Sequence, residues 1–86
     1  MATIILPRLL GQATRNGLRQ EVDGEDLASA LDGLFTREPS LKAHLLGETG
    51  SIRQHILIFV DGRRAQLGSA IESSSEIRIL QAVSGG

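Results

Sequence analysis

Three groups of residues in this 86-residue chain could do chemistry: the closing Ser84-Gly85-Gly86 segment, two histidines and an acidic cluster. Glycine has no β-carbon, so a Gly-Gly segment can lie extended in a channel too narrow for any side chain. Such a tail would deliver one reactive group, the Gly86 carboxylate. The alternative is an incidental frayed end, because chain termini are often poorly ordered.

The histidines and the acidic cluster predict no site of their own. His44 and His55 have no carboxylate or second histidine at ligand spacing, whereas a metal site needs three or four ligands. We therefore expect both to be structural or surface residues, with no metal bound. Asp23, Glu25 and Asp26 precede a predicted helix, where negative charge complements the helix dipole.

Composition narrows the classes of function. Nine basic and ten acidic residues are interspersed with a net charge of −1, which argues against a phosphate-binding surface. Phe35 and Phe59 are the only aromatic residues that could stack on bases. Nucleic acid is therefore an unexpected partner.

The absence of cysteine excludes disulfides, thiolate metal sites and a cysteine nucleophile, and it permits the reducing cytosol. The segment from Met1 to Pro7 has no basic leader and too short an apolar run for a signal peptide. No stretch is long enough to span a membrane. We expect a cytoplasmic protein with no membrane partner.

One long helix is predicted after Asp26, which can cap the free N–H groups of its first turn. Pro39 biases Glu38 away from helix, so the helix should end near Arg37. Its apolar residues recur with helical period and form a single stripe: Leu27, Ala30, Leu31, Leu34 and Phe35.

Runs of β-prone residues predict the strands, and Asp61-Gly62 is a tight hairpin turn signal between two of them. A loop is predicted over 8–15 and a second short helix over 40–46. The predicted strands are Thr3–Leu6, Leu18–Val22, Ile52–Val60, Arg63–Leu67 and Glu76–Val83.

This order predicts an α+β domain of two layers, a mixed sheet of four to five strands with one main helix packed on one face. A right-handed crossover through the helix makes two strands parallel neighbours in the centre. That arrangement is the β-grasp, the ubiquitin-like fold. We expect the β-grasp domain over residues 1–83 and a flexible tail over 84–86, leaving from a central last strand.

At this point the chain resembles the ubiquitin-like sulfur carriers of the MoaD/ThiS superfamily along nearly its whole length. The resemblance lies in five segments taken together. They are Leu6-Pro7-x-x-Leu10, Val22-Asp23-Gly24, Pro39-x-Leu41 with Leu45-Leu46, Ile52-Arg53-Gln54-His55-Ile56 with Phe59-Val60-Asp61-Gly62, and Ala82-Val83-Ser84-Gly85-Gly86.

The resemblance implies a protein cosubstrate with no catalytic residues and no bound cofactor. A ubiquitin-activating-type enzyme would draw Gly85-Gly86 to its ATP, and the Gly86 carboxylate would attack the α-phosphate. A sulfur donor would then displace AMP and leave a C-terminal thiocarboxylate. A sulfur-accepting synthase is the second implied partner, with this chain as its cosubstrate or non-catalytic small subunit.

Partner-binding residues are predicted at Leu57, Phe59, Leu80 and Val83. Strand alternation puts Leu57 and Phe59 on the face away from the helix, and Leu80 matches a position where relatives carry an interface hydrophobe. The alternative is that the 8–15 loop covers Leu57 and Phe59. Two arginines, Arg63-Arg64, either steer an acidic partner or form a solvated hairpin tip.

Three branches of carrier compete, and two other classes of function remain open. Thiamine carriers, the third branch, are usually shorter and lack the region around 40–50. The opening and closing motifs look most like carriers for cysteine biosynthesis, and molybdopterin synthase small subunits share most of the pattern. Gln81 and the Ser74-Ser75-Glu76 turn depart from it. A protein modifier, joined through Gly86 to lysines of other proteins, would share the adenylate. A plain binding module would not need Gly86.

Overall fold

A computed structural model describes residues 1–82, and the predictions made for Val83, Ser84, Gly85 and Gly86 lie outside this range. Five strands form one mixed sheet in the order β2-β1-β5-β3-β4. They are β1 Ala2–Ile5, β2 Arg19–Val22, β3 Ile56–Val60, β4 Arg63–Arg64 and β5 Glu76–Gln81. The helices are α1 Leu27–Arg37 and α2 Pro39–Leu45.

The predicted topology is confirmed. β5 runs parallel to β1 and antiparallel to β3, so the last strand is central. β1 pairs antiparallel with β2, and β3 pairs antiparallel with β4. The chain is therefore an α+β protein with the β-grasp fold.

The helices cover one face of the sheet and form the core with it. Burial alternates along β3 and β5, so Ile56, Ile58, Ile77 and Ile79 point into the core. The predicted α1 stripe is buried in full. The helix begins as predicted at Asp26, whose carboxylate accepts from the Ser29 backbone N–H at 2.9 Å in a capping box.

Three elements differ from the prediction for local reasons. Residues 8–13 form a 3-10 turn rather than a loop, with Leu10 buried. β3 begins four residues late because Ile52 bridges to Leu46 and the Ile56 N–H closes a turn on the Arg53 carbonyl. β4 is two residues long because the Gln66 N–H turns to the Ser69 hydroxyl.

Gly24 and Gly33 offer a matched pair for stability. A β-carbon at position 24 would lie 2.6 Å from the Ser29 Oγ and 2.8 Å from the Ala30 backbone nitrogen, whereas one at position 33 would meet nothing within 4 Å. We expect Gly24→Ala to cost about 2 kcal/mol through overpacking. Gly33→Ala should instead stabilise the domain by about 0.5–1 kcal/mol through helix propensity.

Urea unfolding of the two variants beside the unchanged protein checks this prediction. Equal effects of the two substitutions, in either direction, would contradict the close contact at Gly24.

Candidate functional site

The end of β5 is the point from which residues 83–86 continue. β5 is paired on both sides, with Ile5 of β1 opposite Arg78 and Ile56 of β3 opposite Gln81. One residue further, the Ala82 N–H donates to the His55 carbonyl at 2.7 Å. The backbone is thus held by hydrogen bonds up to the last described residue.

Over residues 1–82, one face of the sheet has no helix on it, and three predicted partner-binding residues, Leu57, Phe59 and Leu80, lie there. The fourth, Val83, lies outside the described residues. Leu57 and Leu80 are direct cross-strand partners, and Leu80 is 40% exposed. Phe59 and Leu57 are half-buried. Phe59 and Leu80 line a shallow groove of about 350 Å³ beside the hairpin turn, together with Gly62, Glu76 and Arg78. The structure thus brings Leu57, Phe59 and Leu80 together on the sheet face without helices, which we call the open face.

The alternative for these residues was cover by the 8–15 loop. The 3-10 turn of that loop instead packs against α2, in the helix layer. Its buried Leu10 belongs to the core between sheet and helices. The groove on the open face is lined by strand and hairpin residues only.

Arg78 is the charged residue in the middle of the open face. It lies between Ile5 and Phe59 on the neighbouring strands, and its guanidinium contacts the Glu76 carboxylate at 2.6 Å. Both side chains are about half exposed, so this ion pair adds little to stability. Arg63 and Arg64 are exposed at the hairpin, where Asp61 and Gly62 both take positive φ, 52° and 84°.

Asp61 ties the hairpin to the start of β5. Its carboxylate accepts from the Glu76 backbone N–H at 2.9 Å and from the Ser75 hydroxyl at 2.8 Å. These two hydrogen bonds hold the pKa of Asp61 below its usual value. The turn and the groove beside it are therefore fixed by the same residue.

Glu38 is a buried carboxylate whose role sequence reasoning missed. It is 2% exposed and accepts from the Thr14 hydroxyl, the Arg15 and Asn16 backbone N–H groups at 2.9 Å each, and the Gln20 amide at 2.9 Å. The Thr14 hydrogen bond first, then those from Arg15, Asn16 and Gln20, lower the pKa of Glu38 from 4.5 to about 2, against the opposing effect of burial.

This Glu38 network predicts an acid-dependent loss of stability. A carboxyl whose folded pKa lies below its unfolded pKa stabilises the fold above the unfolded value and loses that contribution as pH falls toward the folded value. The window here runs from about 4.5 down to about 2. Glu38→Gln should flatten the fall of Tm with pH in this window. At pH 7 the substitution should lower Tm by about 10 °C, because the N–H₂ group of the glutamine would face hydrogen-bond donors that now bind a carboxylate oxygen.

Thermal unfolding between pH 2 and pH 7 measures this effect. Glu48→Gln, at an exposed loop residue, is the control with the same change of charge. A Glu38→Gln chain whose Tm follows that of Glu48→Gln at every pH would contradict the assignment.

The described residues show neither a group of metal ligands around the histidines nor a membrane-spanning helix. His44 and His55 are both exposed. In the described part of the chain no three His, Asp or Glu side chains group as metal ligands, and the absence of a bound metal stays a prediction. Over residues 1–82, no helix is long and apolar enough to cross a membrane. Among the described residues, none forms a hydrogen bond with the buried Oε1 of Gln81, the last residue of β5.

A helix packed across a mixed sheet, with the last strand central and one sheet face open, defines a ubiquitin-like protein. No family model matches the chain. Small archaeal modifier protein 1 of Haloferax volcanii is 34% identical over 70 residues, which cover 80% of each chain. This chain belongs to the ubiquitin-like small modifiers and sulfur carriers of MoaD/ThiS type.

Solved structures agree with this assignment. The crystal structure of SAMP1 from Haloferax volcanii matches with a TM-score of 0.79 at 31% identity, over 99% of this chain and 98% of that one. A chain in the crystal structure of the Amycolatopsis orientalis BexX/CysO complex matches with a TM-score of 0.91 over the whole of both chains. Its identity is 23%, so this second likeness shows the fold alone.

Proposed function

We propose that the chain is a sulfur carrier whose working group is the Gly86 carboxylate. A ubiquitin-activating-type enzyme joins this carboxylate to the α-phosphate of ATP and releases pyrophosphate. A hydrosulfide-level donor then attacks the acyl carbon through sulfur, the bond to AMP breaks, and a thiocarboxylate remains on Gly86. With a persulfide donor, a second thiol must cleave the acyl disulfide that forms first. The chain contributes the tail and the β-grasp domain that carries it, and it contributes no catalytic residue.

The central position of β5 is the observation that carries this proposal. A tail that must be placed in another enzyme's channel needs a fixed origin, since each loosely held residue adds an entropic cost on binding. β5 is paired on both edges, and the Ala82 N–H extends that pairing by one more bond. Four residues then remain to reach the partner, the last two of which have no side chain to exclude.

We propose that the open face docks the activating enzyme and, in turn, the sulfur-accepting synthase. Leu57, Phe59 and Leu80 supply apolar area on the strands nearest the tail, and Val83 is the proposed contact at its root. An apolar cluster left uncovered on a small domain is typical of an interaction site. ATP is bound by the activating enzyme. The proposed setting is the cytoplasm, and the proposed acceptor pathway is cysteine or molybdopterin biosynthesis.

The absence of cysteine gives a direct test. A thiocarboxylate reacts with thiol-directed alkylating reagents, and this chain has no thiol to compete. Untagged chain from its own cells is treated with iodoacetamide and digested, and the label is located by mass spectrometry. Label on Gly86 supports the carrier, whereas unlabelled tail from cells that are actively assimilating sulfur contradicts it.

The second candidate is a protein modifier, joined through Gly86 to lysines of other proteins. The observation that favours it is the 34% identical relative, whose name is that of a modifier. Arg78 is the last basic residue, so trypsin would leave residues 79–86 on each modified lysine. Such remnants on other proteins would support the modifier. Chains linked through lysine would have a single possible site, the exposed Lys42 of α2.

A plain binding module is separated from both by removing Gly86. Binding through the open face would survive the deletion, whereas carrier and modifier activity both need the terminal glycine. Retention of full biological activity after the deletion would therefore assign the chain to this third class.

A further inference from the structure

Charges that are interspersed along the sequence separate in part between the two ends of the folded sheet. β1 and β5 finish at the same end, where β2 and β3 begin. Exposed arginines at this end form what we call the basic collar: Arg8, Arg15, Arg19 and Arg53. Exposed acidic residues outnumber the two exposed arginines of the hairpin, Arg63 and Arg64, at or near the other end: Asp23, Glu25, Asp61, Glu72 and Glu76.

The basic collar stands on both sides of the point where residues 83–86 continue. On the β1 side, Ile5 pairs with Arg19, and the chain passes through Pro7 into the 3-10 turn that starts at Arg8. On the β3 side, Arg53 lies two residues before His55, whose carbonyl binds the Ala82 N–H. Ala82, the last described residue, thus lies between two basic segments.

The segment that carries Arg8, Arg15 and Arg19 holds no exposed carboxylate, whereas Arg53 lines a groove together with the exposed Glu48. Residues 6–19 and 53–55 contain no Asp or Glu. Over residues 1–82 the one ion pair is that of Arg78 with Glu76. Glu38 lies under the loop, but it is 2% exposed and its oxygens are bound by Thr14, Arg15, Asn16 and Gln20. Repulsion between the neighbouring arginines opposes folding. We therefore look for a function that explains why they lie together.

One apolar residue lies within the collar. Leu9, next to Arg8 in the 3-10 turn, is 74% exposed. Apolar contact mainly slows the dissociation of a complex, whereas charges mainly speed its formation. The arginines of the collar can therefore attract an acidic partner, and Leu9 can make an apolar contact with it.

We propose that the basic collar is a docking surface for an acidic rim around the channel of the activating enzyme that receives the tail. This inference rests on the proposed function, in which a partner draws the tail into its active site. Opposite charge around a binding site raises association rates by 10- to 1,000-fold at low salt, and the gain falls as salt increases. The acidic residues at the far end would orient the chain with its tail toward such a rim.

The test compares two double variants with the same change of charge. Arg8→Gln/Arg15→Gln alters the collar, and Arg63→Gln/Arg64→Gln alters the exposed hairpin at the other edge. The rate of ATP-dependent activation of the untagged chain by extract of its own cells is measured against chain concentration and salt. We expect the collar pair to lower the apparent kcat/KM about 10-fold at low salt, with kcat unchanged. The hairpin pair should stay within about 2-fold, and the difference should vanish at high salt.

A second measurement needs no enzyme. Hexaglutamate added to the ¹⁵N-labelled full chain should shift amide signals of residues 8–19 and 53–55, and Leu9→Ser should leave these shifts in place. Equal effects of the two double variants, or tighter binding of oligothymidylate than of hexaglutamate, would overturn the collar. A wild-type chain that is never activated would instead overturn the proposed function itself.

Discussion

Addition of one alanine after Gly86 is expected to abolish activation of the chain while leaving its fold intact. The adenylating step needs a free carboxylate on the last glycine, and an added methyl group does not fit a channel shaped for glycine. The measurement is trapping of the acyl-adenylate with hydroxylamine in extract of the native cells with ATP. Mass spectrometry then detects the Gly86 hydroxamate.

The matched control is insertion of one alanine between Glu48 and Thr49, in an exposed loop. This variant has the same length as the extended chain and should be activated normally. Both variants should keep the Tm of the unchanged protein. Normal trapping of the extended chain, at its new terminus, would contradict the requirement for a terminal Gly86.

Phe59→Asp and Leu80→Asp are expected to weaken binding to the activating enzyme about 30-fold each, in line with about 2 kcal/mol for a central apolar contact. Leu80 is 40% exposed and Phe59 is half-buried, so a charge at either position destroys the apolar patch with limited damage to the core. Affinity is measured by titrating the activating enzyme with each variant, and Tm is measured on the same samples of the variants.

Ser40→Asp places the same charge on the exposed side of α2, in the helix layer, and serves as the control. It should bind normally. Unchanged affinity of both open-face variants would remove that face from the interface. Loss of affinity only together with loss of the folding transition would show that the substitutions act on stability.

The part of the fold that follows from short-range patterns could be predicted from the sequence. The α1 stripe is buried as its spacing indicates. The Asp61-Gly62 pair forms the hairpin turn because both residues adopt positive φ, which a tight hairpin requires. The order of strands around one helix was enough to place β5 in the centre, next to β1.

The part that depends on distant contacts could not be predicted. Glu38 reads in sequence only as the residue before Pro39, whereas its partners lie 18 to 24 residues earlier in the chain. The 3-10 turn at Arg8–Ala13 has no periodic signal because a single buried residue, Leu10, fixes it. β3 is short because Ile52 finds Leu46, a pairing that no local propensity encodes.

The candidate site shows the same division. Alternation along β3 was sufficient to put Leu57 and Phe59 on the face without helices. Leu80 lies on the same face because it pairs directly with Leu57. The partial separation of charge between the two ends of the sheet was not visible in a sequence whose charges are interspersed. It arises because the β1–β2 loop and the segment before β3 meet at one end of the sheet.

The intact mass of the untagged chain, recovered from its native cells, tests the central claim most directly. The carrier account predicts a fraction whose mass exceeds that of the plain chain by the difference between sulfur and oxygen, and which returns to the plain mass on hydrolysis. The plain mass alone, with residues 79–86 found on lysines of other proteins, would contradict the carrier and establish the modifier.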